Sequence, residues 1–276
     1  MKKNSKHSPT LKATKLRPLS LTIMLLIGVA VVFTSCGGDD SSTTDDGGDT
    51  PVVNAETPTS AFDEFNPDAV TVSFDGDQIT IESNGVPNHT SPYWETTEPL
   101  YIEKIIGDHT TPGRIRAGSY TLTVSAAPGK AAVSSATGLG AIGISVTGAP
   151  IFNDEERANE PLDAMTAEGF DYAGAHVGPS GYHYHIEAFD VAENTVLSHD
   201  DEALVGIMAD GFLLYGRREL DGSYPTDLDE SGGHFGVTPH SNGEEIYHYH
   251  IINEIYINNY YLLFGGNLQG TPSSIL

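Results

Sequence analysis

Apolar and polar residues alternate along this chain in short runs separated by turn formers. Val70-Thr-Val-Ser-Phe74 and Gln78-Ile-Thr-Ile-Glu82 flank Asp75-Gly76-Asp77. Period-two alternation on both sides of an Asp-Gly turn predicts a β-hairpin. Ser119-Tyr-Thr-Leu-Thr-Val124 follows Ala117-Gly118 and reads as a further strand. Leu139–Val146 is an apolar strand interrupted by glycine, Leu204–Tyr215 is an apolar run broken by Asp210-Gly211, and Ile251–Phe264 is rich in Ile and Tyr. Only Asn153–Thr166 has helix-forming residues, and Pro161 interrupts it. Thirty glycines and 16 prolines suit many short strands and turns. The expected fold is mainly β, a β-sandwich-like or irregular β-rich domain.

The amino terminus follows a different pattern. Lys2, Lys3, Lys6, Lys12, Lys15 and Arg17 precede an apolar run, Leu19–Phe33. That run is short for a bilayer span, which takes about 20 residues. It ends in Phe33-Thr34-Ser35-Cys36, which resembles a lipobox. The expected organisation is a signal peptide over 1–35, used by the Sec route, with Cys36 as the lipidation site. A disordered acidic tether over 36–62 follows, then a β-rich part over 63–147 and a domain over 148–276 that holds an internal repeat. Gly37-Gly38-Asp39-Asp40 resembles the acidic export signals of Gram-negative surface lipoproteins. The expected address is the outer membrane or cell surface, with the membrane as partner through the lipid. Cleavage removes six of the 13 basic residues, leaving seven against 38 acidic ones. That charge repels nucleic acid, so no nucleic-acid partner is expected. Protein or glycan partners stay open. Cys36 is the chain's one cysteine, so once it is acylated stability rests on the core and any bound ion.

The repeat carries the candidate chemistry. Tyr182-His183-Tyr184-His185-Ile186 recurs as Tyr247-His248-Tyr249-His250-Ile251. Upstream of each stands Asp-x-x-Gly-x-His, as Asp171 to His176 and as Asp229 to His234. Residues two apart on a strand share a face, so His183 and His185 point together, as do His248 and His250. The tyrosines then face the other way, as core aromatics. Paired imidazoles on one strand face chelate late first-row metals. His176 and His234 raise the donors to six. Asp171, Asp229 or Asp210 could accept a distal imidazole N–H and fix its tautomer. Copper or zinc is the expected ion. A duplicated hairpin packing about a pseudo-twofold axis would bring both pairs into a single pocket. The bland alternative is a buried Tyr–His hydrogen-bonded ladder.

These residues resemble those of the YHYH protein family. The resemblance runs from Gly148-Ala-Pro-Ile-Phe-Asn153 through Leu204-Val-Gly-Ile-Met-Ala-Asp-Gly-Phe-Leu-Leu-Tyr-Gly216 and Asp227-Leu-Asp-Glu-Ser-Gly-Gly-His234, ending near Gly270. Family members often carry cysteines where this chain has Ala173 and Ser231. The resemblance implies kinship and no particular activity.

Other motifs carry less. Asp221–Glu230 is an acidic loop, but Ser223 and Pro225 spoil a calcium-loop pattern and leave a solvated turn. No nucleophile elbow, P-loop or dinucleotide fingerprint occurs. Two rivals to a metal-binding envelope protein remain. One is a zinc-dependent hydrolase or hydratase with Asp210 or Glu187 moving protons. The other is a metal-free surface-binding module.

Overall fold

Gly76, at φ +62°, closes a two-residue turn between β1 (Val70–Asp75) and β2 (Gln78–Ser83), with Asp75 opposite Gln78. The computed structural model describes residues 55–157, 160–190, 197 and 199–276. The leader and Cys36 lie outside the described residues. Strand β3 (Tyr120–Ser125) adds antiparallel to β2 and completes a three-stranded sheet. Alternation puts Ile79 opposite Val124 and Ile81 opposite Leu122, all four buried. Each such side chain contributes about 1.5–3 kcal/mol through burial.

Two shorter hairpins form the centre of an eight-stranded sheet. One is β4 (Gly143–Ser145) with β5 (Pro150–Ile151). Then come β6 (Glu155–Arg157) and β7 (Glu160–Pro161), a small ribbon, followed by α1 (Ala164–Ala167). The hairpin of β8 (Ala175–Gly178) and β9 (Gly181–Tyr184) follows. The second half repeats the plan. It has the hairpin of β10 (Leu204–Met208) and β11 (Leu213–Tyr215), then that of β12 (Gly233–Val237) and β13 (Glu245–His250). A ribbon of β14 (Ile255–Ile257) and β15 (Tyr260–Tyr261) comes last.

The sheet order is β12-β13-β11-β10-β4-β5-β9-β8. Each half pairs its inner hairpin with its outer one in parallel, β5 with β9 and β11 with β13. The halves meet where β4 and β10 pair antiparallel, with Ile144 opposite Ile207, Ser145 opposite Gly206 and Gly143 opposite Met208. Equivalent residues thus pair symmetrically about Ile144 and Ile207, an approximate twofold. Glycine is required at this seam. A Cβ on Gly206 would sit 2.3 Å from Ile144 O, and one on Gly143 2.9 Å from Ile207 O.

The structure is mainly β and irregular, as the alternation predicts. Two local expectations change. The Asn153–Thr166 stretch holds the two strands of the β6–β7 ribbon, and its helix is confined to the four residues of α1, which starts beyond Pro161 with Asp163 accepting from Thr166 N. The fold also takes in the last part of the expected tether. Ala61 and Phe62 lie on a 3-10 helix, Thr59–Glu64, and are buried in the core. The tyrosine face of the large sheet is core as well, with Tyr182, Tyr184, Tyr247 and Tyr249 all buried. Among the described residues no helix is long and apolar enough to cross a membrane.

Candidate metal centres

Register decides which histidines meet. His176 stands directly opposite His183 on the β8–β9 hairpin, and His234 directly opposite His248 on β12–β13. His185 and His250 lie two residues further on the same face, as period two requires. A glycine two residues past each upstream histidine leaves the ring room. A Cβ on Gly178 would come within 2.8 Å of His183 Cε1, and one on Gly236 within 3.2 Å of His248 Cε1.

A carboxylate completes each group. Glu156 joins His176, His183 and His185, and Glu219 joins His234, His248 and His250, each set with ligand atoms within 4.8 Å of one another. In the first site Glu156 Oε1 lies 2.8 Å from His176 Nε2 and 3.2 Å from His185 Nε2. In the second, Glu219 Oε1 lies 3.2 Å from His234 Nε2 and Oε2 lies 3.7 Å from His250 Nε2. A tetrahedral ion bound at 2.0–2.2 Å holds its donors roughly 3.3–3.6 Å apart, so both groups have the right size.

The tautomers point the same way. A neutral imidazole has one N–H. In the second site His248 Nδ1 lies 3.0 Å from Ile246 O and His250 Nδ1 2.7 Å from Gly216 O. Carbonyls only accept, so both protons sit on Nδ1. The two Nε2 lone pairs then face each other at 2.9 Å. Neither atom has a proton to offer, so this contact is not a hydrogen bond, and a shared cation would make it favourable. The first site matches: His183 Nδ1 donates to Gly181 O (2.9 Å) and His185 Nδ1 to Asn153 O (2.7 Å). There the buried His185 Nε2 and Glu156 Oε1 lack a directed hydrogen bond, as His234 Nε2 does in the second site. Burial favours the neutral form of the four rings of the two motifs. Desolvation lowers His248 to a pKa of about 3 and His250 to about 4, and lowers His183 and His185 as well.

All six sequence-predicted histidines are thus at the two groups, but not in one pocket. Four strands, β11, β10, β4 and β5, separate β13 from β9. The antiparallel seam sends the two outer hairpins to opposite ends of the sheet, so duplication yields two sites.

The aspartates expected to orient imidazoles do something else. Asp171 Oδ1 accepts from Ala173 N and Ala175 N, and its Oδ2 from Tyr182 Oη. Asp229 does the same with Ser231 N, Gly233 N and Tyr247 Oη. They build the turn that aims the upstream histidine and anchor a tyrosine on the far face. Asp210 also lies on the tyrosine face, accepting from Tyr249 Oη (2.6 Å) and Gly270 N (2.9 Å), where the first half uses Thr147 to meet Tyr184 Oη (2.9 Å). Glu187 is paired with Arg217 Nε at 2.8 Å, and burial pushes its carboxyl up to about 7. Neither Asp210 nor Glu187 belongs to a donor group, so neither is placed for proton transfer there. Backbone carbonyls hold four of the six imidazoles instead, and Asp227, a residue that no motif marks as a ligand partner, takes His234 Nδ1 at 2.8 Å.

Residues 121–226 match the model of the family described as YHYH protein. The chain carries a YHYH domain. The match starts upstream of the expected Gly148 and ends before His234, so the first YHYH site and Glu219 lie inside it and the second histidine set beyond it. No curated protein and no solved structure matches the chain.

Proposed function

We propose that this YHYH domain binds two late first-row metal ions, zinc or copper, one in each group of three histidines and a glutamate. The observation that carries the reading is the pair of Nε2 lone pairs facing each other at 2.9 Å in His248 and His250, each fixed by a carbonyl at Nδ1. A hydrogen-bonded ladder would place a proton between them. Imidazole suits both metals, and the carboxylate oxygen favours zinc or copper(II) over copper(I). The glutamates are the exposed members of the sets, with side chains 23% and 20% accessible against 7% or less for the histidines that face them. They are the ligands that can yield a position to water or a small molecule. Protein purified without a histidine tag is expected to hold two ions per chain by elemental mass spectrometry. Protein that takes up no zinc or copper under any loading condition would refute the reading.

Cys36 and the basic, apolar leader before it support placing the domain outside the cytoplasm as a lipid-anchored envelope protein. Cys36→Ser is expected to leave an unprocessed precursor without acyl chains. Detergent partitioning and the mass of the mature amino terminus report it, and an unacylated mature chain starting elsewhere contradicts it.

A further inference from the structure

The first site opens beside a cavity that holds another imidazole. This cavity of about 420 Å³ is lined by Glu156 and His176 of the site together with Asp108, His109, Thr111 and Glu168. No lysine or arginine lines it, and three of its residues are carboxylates.

The loop that brings His109 there is fixed from several sides. Lys104 Nζ donates to Phe170 O, and Thr111 Oγ1 donates to Val177 O at 2.7 Å. Gly107, at φ +74°, lies against Glu168 so closely that a Cβ would come within 2.1 Å of Glu168 O. Any other residue there would lift the loop. His109 Nδ1 meets Asp108 Oδ1 at 2.5 Å. That contact places the proton on Nδ1 and leaves Nε2 with its lone pair, above Gly169 where a Cβ would be 3.2 Å away. The ring is partly exposed, its side chain 45% accessible. His176 beyond it is 2% exposed, and its Nδ1 has no partner, unlike its counterpart His234.

We infer that this cavity is the entrance of the first site, with His109 as a transient ligand that receives a divalent cation and passes it to Glu156 and His176. The inference rests on the metal reading above. The carboxylates concentrate hydrated cations at the mouth, as fields in a lined cleft do. One imidazole then replaces water before the buried set closes on the ion. His109 does not belong to that set, so it acts on the rate and leaves the final affinity alone.

Zinc uptake by the apo full chain, followed by stopped flow against a chromophoric chelator, tests this. In a His248→Ala/His250→Ala background the first site loads alone. There His109→Ala is expected to slow both uptake and release roughly tenfold, with affinity unchanged. Asp108→Asn, which keeps the imidazole, should slow both by a smaller factor. In the reciprocal His183→Ala/His185→Ala background, His109→Ala should change nothing. Unchanged rates in the first background overturn the entrance while leaving two bound ions in place. A loss of affinity that matches the loss of uptake also overturns it, because His109 is then a permanent ligand. Failure of the parent chain to bind zinc at all is a different result and defeats the metal reading itself.

Discussion

The two sites share one frame and differ in what surrounds it. In both, the upstream histidine faces the first histidine of the motif across a hairpin, and a carbonyl holds Nδ1 of the second, His185 or His250. Around the first site the rings are walled by phenylalanines. Phe152 stacks on His183 at 3.9 Å between centroids, and Phe170 on His185 at 5.3 Å. Around the second, Tyr215 meets His248 edge-on at 5.4 Å and Asp227 holds His234. The glutamates follow their surroundings. Burial pushes Glu156 up, but the imidazole of His176, whose Nε2 lies 2.8 Å from Oε1, outweighs it and holds the carboxyl well below its usual range. Burial also pushes Glu219 up, and the charges of Asp227 and Asp221 add to it while His234 opposes, leaving it raised. Duplication thus conserved the backbone that aims the ligands, and the loops between strands tuned each site separately.

Acid has the largest expected effect, and it acts on both sites. In the unfolded chain the imidazoles titrate near 6.5, while folding lowers His248 to about 3 and His250 to about 4. Between those values the unfolded state binds more protons, so stability is fully present above pH 6.5 and is lost as pH falls. The ion-free protein should lose on the order of several kcal/mol between pH 7 and pH 4. The Tm followed across that range, with and without zinc, reports it. His248→Ala/His250→Ala should flatten part of the acid dependence, and His183→Ala/His185→Ala another part. A profile that the substitutions leave unchanged would place the acid-sensitive groups elsewhere.

A smaller effect is expected from Asp227→Asn. It removes the carboxylate that fixes His234, so the second site should weaken by about ten- to a hundredfold while the first stays as it was. Competition titration against a calibrated chelator resolves the two affinities. Equal weakening of both sites would mean that they are coupled across the seam.

The sequence makes the histidines, the tyrosine face and the β1–β2 hairpin legible because each rests on a short-range rule: alternation, turn chemistry, or a word that occurs twice. Glu156 and Glu219 escape those rules. Glu156 sits in a three-residue ribbon strand and Glu219 in a loop, where no periodicity marks a face. A signal existed. Gly143-Ile144 and Gly206-Ile207 begin a longer copy of the repeat, in which Asn153 aligns with Gly216 and Glu156 with Glu219. Aligned on its own at Gly143 and Gly206, that earlier segment pairs the two carboxylates. The single shared pocket failed for a different reason. Which hairpins become neighbours depends on the β4–β10 seam, a long-range pairing that alternation within each strand does not encode. A carboxylate beside a histidine suggests an imidazole partner, and the aspartates of Asp-x-x-Gly-x-His depart from that rule. In a turn with Gly174 at φ +80° and Gly232 at φ +79°, nearby backbone N–H groups claim the carboxylate first.

The number of ions held by paired-histidine variants tests the two-site arrangement most directly. With the parent chain at two ions, His183→Ala/His185→Ala and His248→Ala/His250→Ala should each retain one, bound as tightly as in the parent, and the quadruple variant none. Effects on separated sites add, so the two losses should sum to the whole. Loss of both ions on removal of either pair would contradict the account and restore a single shared centre.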